Sequence, residues 1–481
     1  MEKIIIQKHD EVHVKVICEA GTAYEIQDYF TFLVPGYQFM PSYRNKMWDG
    51  KIRLYNVYTK TLYMGLVEYL VKFANERDYE VEFDGLEQAD EFSLFEAKEF
   101  AETLGLPFEP RDYQYKAFVH SVRNRRSLLL SPTASGKSLI IYMLVRWFHA
   151  KTLIIVPTTS LVHQLVSDFK DYGWESDENC HKVMAGVDKV SDKQVIVSTW
   201  QSVYKLNKEY FDQFDVVIGD EAHLFKAKSL MTLLEKMRDC KYRYGLTGTL
   251  DGTQTHKLVL EGLFGPVKKV TSTKELMDNK QLADFRIKAL ALNYSDAERQ
   301  EVTKMKYQQE MDFLVRHEKR NRFIRNLTIS QEGNTLLLFQ YVEKHGRVLF
   351  DDINNRVGDK RKVFFIHGGT DAEDREEIRK ITEQSEDAII VASFGTFSTG
   401  INIRNLHNII FASPSKSRIR NLQSIGRGLR LSESKKVATL YDIVDDLKWK
   451  SRKNFTLEHF LERMKTYNEE KFKVKLYKIE I

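Results

Sequence analysis

The chain has 481 residues, of which 42% are hydrophobic and 29% are charged, and its formal net charge is +5. This length predicts two to four domains, and the composition is typical of a soluble globular protein. No apolar run is long enough to span a membrane, and the scattered cysteines have neither disulfide nor metal-site spacing. We therefore expect a reducing, cytoplasmic setting without a membrane partner, and the mild positive charge permits a polyanionic partner without requiring one.

Residues 1–90 are predicted to form a small α/β domain that binds nucleic acid. The segments 11–17 and 51–55 alternate between apolar and polar side chains, which predicts strands. Basic and aromatic residues are interleaved around the second segment, at Arg44, Lys46, Trp48, Lys51 and Arg53. Such residues suit a phosphate backbone with stacked bases, although a solvated hairpin with a half-buried Trp48 is an equally good interpretation.

From Arg111 onwards, short β-branched runs alternate with helical patterns, which is typical of parallel sheets covered by helices on both faces. The runs fall into two series, within residues 91–270 and 331–450. The charged segment 271–330 is predicted to connect them, with a basic cluster that forms a solvated helix face, and residues 451–481 to add a C-terminal helix and edge strand. The predicted fold is therefore α/β, with two tandem doubly wound parallel-sheet domains behind the small N-terminal one.

A phosphate-binding loop is predicted between an apolar run at 127–130 and a helical pattern at 139–148. The loop consists of small residues and then Gly-Lys-Ser, namely Thr133, Ala134, Ser135, Gly136, Lys137 and Ser138. The backbone N–H groups of such a loop and the N-terminus of its helix face the phosphates of a nucleotide. Lys137 can reach the β and γ phosphates, and the Ser138 hydroxyl can complete the coordination shell of Mg²⁺. An ordinary strand–turn–helix is the alternative.

Two carboxylates follow the apolar run 216–218, in the tetrapeptide Asp220-Glu221-Ala222-His223. A carboxylate at the carboxyl end of a parallel strand is expected beside the phosphate loop of the neighbouring strand. Asp220 would then hold Mg²⁺, and Glu221 would polarise the attacking water. The alternative is a plain acidic start of a helix, where carboxylates favour the helix dipole.

Together with the loop upstream, Asp-Glu-Ala-His resembles the DEAH motif of the superfamily 2 helicases, and further segments resemble the other motifs of that family in the same order. The resemblance implies two RecA-like domains and an adenine contact by Arg111 and Gln114. It implies nucleotide contacts by Gly400 and Asn402 and a part for His223 in hydrolysis. It also implies contacts with a nucleic-acid strand by Pro157, Thr158, Thr159, Trp200, Gln201, Thr396 and Ser398.

The sixth motif of this family resembles the segment 423–430, with Gln423, Arg427 and Arg430 at its fixed positions. Arginines three residues apart share one face of a helix. The resemblance implies that both reach the γ-phosphate and stabilise the charge of the transition state. A basic surface helix is the alternative.

The likeness extends beyond these motifs, to segments 48–54 and 394–400, and the chain resembles the recombination helicases of bacteriophages over nearly its whole length. That resemblance implies a monomeric motor in the host cytoplasm that uses ATP and Mg²⁺. It implies 3′-to-5′ unwinding or migration of branched DNA, namely Holliday junctions, displacement loops, R-loops and stalled forks, with single-stranded DNA and RNA–DNA hybrids as further partners. A duplex translocase that does not separate strands, an RNA helicase, and a binding protein with a nucleotide switch are the alternatives.

Overall fold

A computed structural model of the protein describes the backbone of residues 2–400, 403, 405–413, 417–429 and 437–481, and their side chains except at 372, 398–400, 419 and 427. The chain divides into two compact units, Met1–Ser131 with Gly136–Val270 and Pro132–Ser135 with Thr271–Ile481. No helix in these described ranges is both long and apolar enough to cross a bilayer.

Unit one begins with a small α/β module. Its strands are β1 (Lys3–Lys8), β2 (His13–Ile17), β3 (Thr31–Leu33), β4 (Lys51–Arg53), β5 (Tyr55–Asn56), β6 (Thr61–Tyr63) and β7 (Glu80–Asp84), and its helices are α1 (Ala20–Tyr29), α2 (Pro41–Arg44) and α3 (Val67–Asn75). Five strands form a mixed sheet in the order β5-β6-β2-β1-β7, while β3 and β4 pair separately. The predicted alternation holds in β2, where Val14 and Val16 are buried and the residues between them are not.

The rest of unit one is built on a seven-stranded parallel sheet in the order β10-β11-β9-β12-β13-β8-β14. The strands are β8 (Arg126–Leu130), β9 (Thr152–Val156), β10 (Cys180–Val183), β11 (Val195–Thr199), β12 (Val216–Asp220), β13 (Tyr242–Thr247) and β14 (Val267–Lys269). The helices are α4 (Leu94–Thr103), α5 (Asp112–Asn124), α6 (Lys137–Phe148), α7 (Thr159–Asp171), α8 (Ser176–Asn179), α9 (Trp200–Val203), α10 (Lys208–Phe211), α11 (Lys228–Lys236) and α12 (Gln254–Phe264). The β-branched runs are therefore buried strands, as predicted.

The N-terminal module packs onto one face of this sheet and shares its core. Alternate strand residues point to opposite faces, so Leu128 packs with the module and α11 and α12, while Leu129 packs with α4 to α7. Gly65 lies against α12 so closely that an added Cβ would meet the Glu261 carbonyl oxygen at 1.9 Å. Tyr69 donates a hydrogen bond of 2.7 Å to the Glu261 carboxylate. These contacts bind the module to the larger sheet.

Unit two is built on a second seven-stranded parallel sheet in the order β17-β18-β16-β19-β20-β15-β21. The strands are β15 (Asp284–Asn293), β16 (Thr335–Phe339), β17 (Val363–Ile366), β18 (Ile389–Ser393), β19 (Asn408–Phe411), β20 (Val437–Asp446) and β21 (Lys473–Glu480). The helices are α13 (Thr273–Asp278), α14 (Asp296–Val302), α15 (Tyr307–Arg316), α16 (Glu318–Ile329), α17 (Val348–Val357), α18 (Ala372–Gln384), α19 (Phe394–Gly400), α20 (Arg418–Gly428) and α21 (Phe455–Glu469). The expected C-terminal helix and edge strand are α21 and β21.

The charge pattern predicts that segment 271–330 only connects the two sheets, but the structure also makes it a part of the unit-two sheet. It contributes β15, which pairs with both β20 and β21, and α16 packs on the same sheet. Nor is its basic cluster fully solvated, because Arg320 is buried and donates to Asp445 Oδ1 at 2.7 Å and to the Ala412 carbonyl at 2.6 Å. A buried guanidinium needs such partners, and the sequence places Asp445 far along the chain.

Candidate nucleotide site and nucleic-acid contacts

The predicted phosphate loop and the predicted carboxylates lie at the same edge of the unit-one sheet. Because the strands are parallel, the carboxyl ends of β8 and β12 meet at that edge. These two strands are not neighbours, contrary to the expectation from sequence, since β13 pairs with both and separates them. The end of β13 therefore lies between loop and carboxylates.

Gln114 holds the phosphate loop from the N-terminal end of α5. Its side-chain Nε2 donates to the Gly136 carbonyl at 3.3 Å, and its Oε1 accepts from the Arg111 N–H at 2.8 Å. Gly136 has φ +77°, and a Cβ there would lie 2.4 Å from the Gln114 amide nitrogen. Only glycine fits this backbone and this approach. Of the two residues predicted to contact adenine, Gln114 thus borders the loop directly, and Arg111 is hydrogen-bonded to Gln114.

The Gly-Lys-Ser residues begin α6 and face inward from the loop. Lys137 Nζ lies 3.4 Å from the Ser131 carbonyl oxygen, and Ser138 Oγ lies 2.7 Å from the Tyr172 hydroxyl oxygen. Ser135 Oγ donates to the Pro132 carbonyl at 2.6 Å, while Thr133 and Ala134 are partly exposed. Burial raises the pKa of Tyr172 to about 12, so its hydroxyl stays protonated at neutral pH. No sequence motif pointed to Tyr172.

The carboxylates of Asp220 and Glu221 form a negatively charged site at the end of β12. Burial and, to a smaller extent, the neighbouring Glu221 carboxylate raise the pKa of Asp220 to about 6, although the Lys137 ammonium opposes both. Asp220 Oδ1 accepts from the Glu221 N–H at 2.9 Å, and Glu221 has φ +51°. Within the described residues, no group of three or more His, Cys, Asp or Glu side chains forms a metal cage. One or two carboxylates with a serine hydroxyl and phosphates are nevertheless the usual set for Mg²⁺, so the residues fit that ion.

His223 connects the carboxylates to β13. Its ring is buried, and Nδ1 lies 3.0 Å from Thr247 Oγ1 and 3.4 Å from Glu221 Oε2. The carbonyl of Thr247 accepts from the Ser131 N–H at 2.9 Å. His223 therefore lies between Glu221 and Thr247, and Thr247 is hydrogen-bonded to Ser131 at the start of the phosphate loop.

The predicted nucleic-acid residues of the N-terminal module are divided by the structure. Arg44, Lys46 and Lys51 are exposed, and a groove of about 630 Å³ lies beside Arg44 and Lys46. Arg53 forms an ion pair of 2.5 Å with Asp49, and the half-buried Trp48 donates to the Lys51 carbonyl at 2.9 Å. All four cations, Arg53 included, are exposed to solvent, and Arg53 and Trp48 also stabilise the hairpin.

The remaining unit-one candidates follow the carboxyl ends of β9 and β11. Thr158 Oγ1 accepts from the Leu161 N–H at 3.4 Å and so caps α7, next to the partly exposed Pro157 and the exposed Thr159. Trp200 packs partly against the core, whereas Gln201 is exposed.

The unit-two candidates are described only in part. Thr396 is buried, and its hydroxyl accepts from Ser393 Oγ at 2.8 Å, while Gln423 is half-buried on α20. The side chains of Ser398, Gly400 and Arg427, and the whole of Asn402 and Arg430, lie outside the described residues.

Three family descriptions match the chain. "DNA helicase UvsW, N-terminal" matches residues 3–84, "Type III restriction enzyme, res subunit" matches 107–252, and "Helicase conserved C-terminal domain" matches 318–432. The ATP-dependent DNA helicase uvsW of Enterobacteria phage T4 is 35% identical over 98% of both chains. The DNA 3′-5′ translocase XPB2 of Sulfurisphaera tokodaii is 25% identical over 70% of this chain and 81% of its own. The crystal structure of T4 UvsW superposes with a TM-score of 0.53 at 33% identity, covering 99% of each chain.

Proposed function

This chain belongs to the UvsW family of superfamily 2 DNA helicases, and on that premise we propose that it unwinds and branch-migrates recombination and replication intermediates. It is an ATP-dependent DNA helicase with two RecA-like domains and a small N-terminal domain. The proposed substrates are Holliday junctions, displacement loops, R-loops and stalled forks. The likeness to T4 UvsW along the whole chain, including residues 3–84 outside the motor motifs, supports this choice.

The observation that carries the ATP-driven part is that the phosphate loop and the carboxylates lie at one edge of the sheet, with His223 between Glu221 and Thr247. We infer that Lys137 and the loop N–H groups bind the phosphates, with adenine contacted at Arg111 and Gln114. Glu221 orients and deprotonates the attacking water, because it lies one residue beyond the carboxylate that faces Lys137. His223 holds Glu221 relative to Thr247, so movement at the end of β13 reaches the water-activating group.

Mg²⁺ is the proposed cofactor, and Ser138 and Asp220 would hold it. Bound there, the ion would supply positive charge to the phosphates. The raised pKa of Asp220 supports the assignment, since a buried carboxylate beside a second one gains from a nearby cation.

Other assignments follow from the family alone. We propose that Gln423, Arg427 and Arg430 stabilise the transition-state charge, and that Gly400 and Asn402 contact the nucleotide. The proposed strand contacts are Pro157, Thr158, Thr159, Trp200, Gln201, Thr396 and Ser398, with Arg44, Lys46, Trp48, Lys51 and Arg53 in the N-terminal module. The proposed domains are 1–90, 91–270 and 331–450, joined through 271–330 and followed by 451–481, and the proposed solution state is a monomer.

We propose 3′-to-5′ movement, which the similarity to the DNA 3′-5′ translocase XPB2 supports. The same relative supports a second candidate function, a translocase that follows duplex DNA without separating its strands.

A synthetic mobile four-way junction with fluorescent arms tests the proposal. Wild-type protein with ATP and Mg²⁺ should convert it into paired duplex products, and Lys137→Ala should not. Forked duplexes with only a 3′ or only a 5′ single-stranded tail would report the direction. ATP hydrolysis without any junction or fork conversion would overturn strand exchange and leave the translocase.

A further inference from the structure

A cavity in unit two lies outside the motor motifs and is bordered by cations. It has a volume of about 440 Å³ and is lined from two loops, one containing Thr303 and Met305 and the other containing Arg452 and Lys453. The second loop follows β20, whose carboxyl end is at the same edge of the parallel sheet as that of β18, where α19 begins. Both loops lie outside residues 3–84, 107–252 and 318–432, which the three families match.

Six exposed basic residues stand on these two loops, and we call them the cationic rim. They are Lys304, Lys306, Lys448, Lys450, Arg452 and Lys453. In the part of the chain that the structure describes, none of their side chains has an ion pair or a side-chain hydrogen bond. By contrast, Lys344 in the same unit pairs with Asp312 at 2.9 Å. Arg452 and Lys453 line the cavity, and the other four cations stand on the same two loops, so this surface attracts a polyanion.

The second loop is held in shape before any ligand binds. Trp449 and Arg452 exchange backbone hydrogen bonds of 3.0 Å, and Asn454 Oδ1 accepts from the Leu447 N–H at 3.0 Å. A preorganised loop loses little conformational entropy on binding, so its charges are used efficiently.

The bottom of the cavity is unsuited to a single small anion. The buried Glu310 carboxylate lies there and accepts from the N–H groups of Phe455 and Thr456 at 2.9 and 2.8 Å. The N-terminus of α21 is thus already occupied by a negative charge, and Glu458 adds another at the wall. An anion gains most by lying across the rim, which favours an extended phosphodiester chain over free phosphate.

We propose that the cationic rim binds the phosphate backbone of a DNA arm, as a contact additional to those of the motor motifs. The assignment rests on the proposed function only for the identity of the polyanion. Because the second loop of the rim follows β20, the C-terminal segment would help to hold the DNA without taking part in ATP hydrolysis.

The test measures how DNA affinity depends on salt. Two paired variants, Arg452→Ala with Lys453→Ala and Lys304→Ala with Lys306→Ala, remove two rim charges each. A matched control, Lys473→Ala with Lys475→Ala, removes two exposed charges near the amino end of β21. Anisotropy titrations with a fluorescein-labelled four-way junction and with plain duplex give log Kd against log salt, and ATP hydrolysis without DNA confirms an intact motor.

Losing two phosphate contacts should reduce the salt slope by about 1.8, since each contact contributes about 0.9. The loss of affinity relative to the wild type should therefore be about 60-fold greater at 0.1 M than at 1 M salt. The control should keep the wild-type slope. Unchanged salt slopes in both rim variants, or an equal decrease of the salt slope in the control, would contradict DNA binding by the cationic rim. Inorganic tripolyphosphate that binds in an Arg452-dependent manner would overturn the extended-chain ligand. If the wild type itself shows no DNA-stimulated hydrolysis, the proposed function fails instead.

Discussion

Arg463 and Asp442 form a buried ion pair that fastens α21 to β20, and breaking it should loosen unit two. Arg463 donates two hydrogen bonds of 2.9 Å to the Asp442 carboxylate, which also accepts one of 2.8 Å from Tyr467. Both charged side chains are at most 1% exposed. Arg463→Met keeps much of the packed volume and leaves Asp442 buried without its cation.

The cost follows from that burial. Removing one partner of a buried ion pair costs about 3–5 kcal/mol, because the other charge is left uncompensated. An exposed pair on the same helix, Lys465 with Glu462, should contribute about 1 kcal/mol or less. Lys465→Met is therefore a matched control. Adding Asp442→Asn to Arg463→Met should recover about half of the loss, since it removes the stranded charge.

Hydrogen exchange followed by mass spectrometry measures this locally, which matters in a chain whose two units need not unfold together. A loss of about 3–5 kcal/mol should speed exchange in peptides of β20 and α21 by about 150- to 5,000-fold. Peptides from unit one should keep their wild-type rates. If Arg463→Met changes exchange no more than Lys465→Met does, the buried pair does not contribute as argued.

Three further changes test the site and the packing. Glu221→Gln should retain ATP binding and lower turnover by about 10²- to 10⁴-fold, measured by equilibrium nucleotide binding and phosphate release; near-normal turnover would remove Glu221 from its role. Gly65→Ala should lower the melting temperature of unit one, since overpacking costs about 1–3 kcal/mol, whereas Gly21→Ala, with open space around its Cβ, should not. Gln114→Glu should raise the KM for ATP, because it places a carboxylate oxygen against the Gly136 carbonyl; an unchanged KM would contradict the loop contact.

The sheets could be predicted from sequence because buried parallel strands are short apolar runs with few competing interpretations. Strand β15 was missed although Phe285 and Ile287 alternate with charged residues, since its alternation resembles a solvated segment. The position of β13 between β8 and β12 could not be derived, because local pattern does not encode strand order.

The candidate site was predictable where backbone chemistry requires particular residues, as at Gly136 and Lys137. Tyr172 and the His223–Thr247 hydrogen bond were not, since each joins segments distant in sequence and neither belongs to a pattern. Arg320 shows the same limit, because a lone buried arginine inside a basic run is visible only once Asp445 is placed beside it.

ATP hydrolysis measured across a panel of nucleic acids tests whether this helicase acts on branched DNA, as we propose. The panel is no nucleic acid, single-stranded DNA, plain duplex, a four-way junction and RNA, at equal nucleotide concentration and fixed salt. We expect the four-way junction to stimulate hydrolysis most strongly. Stimulation by RNA alone, or hydrolysis that no nucleic acid increases, would contradict the account.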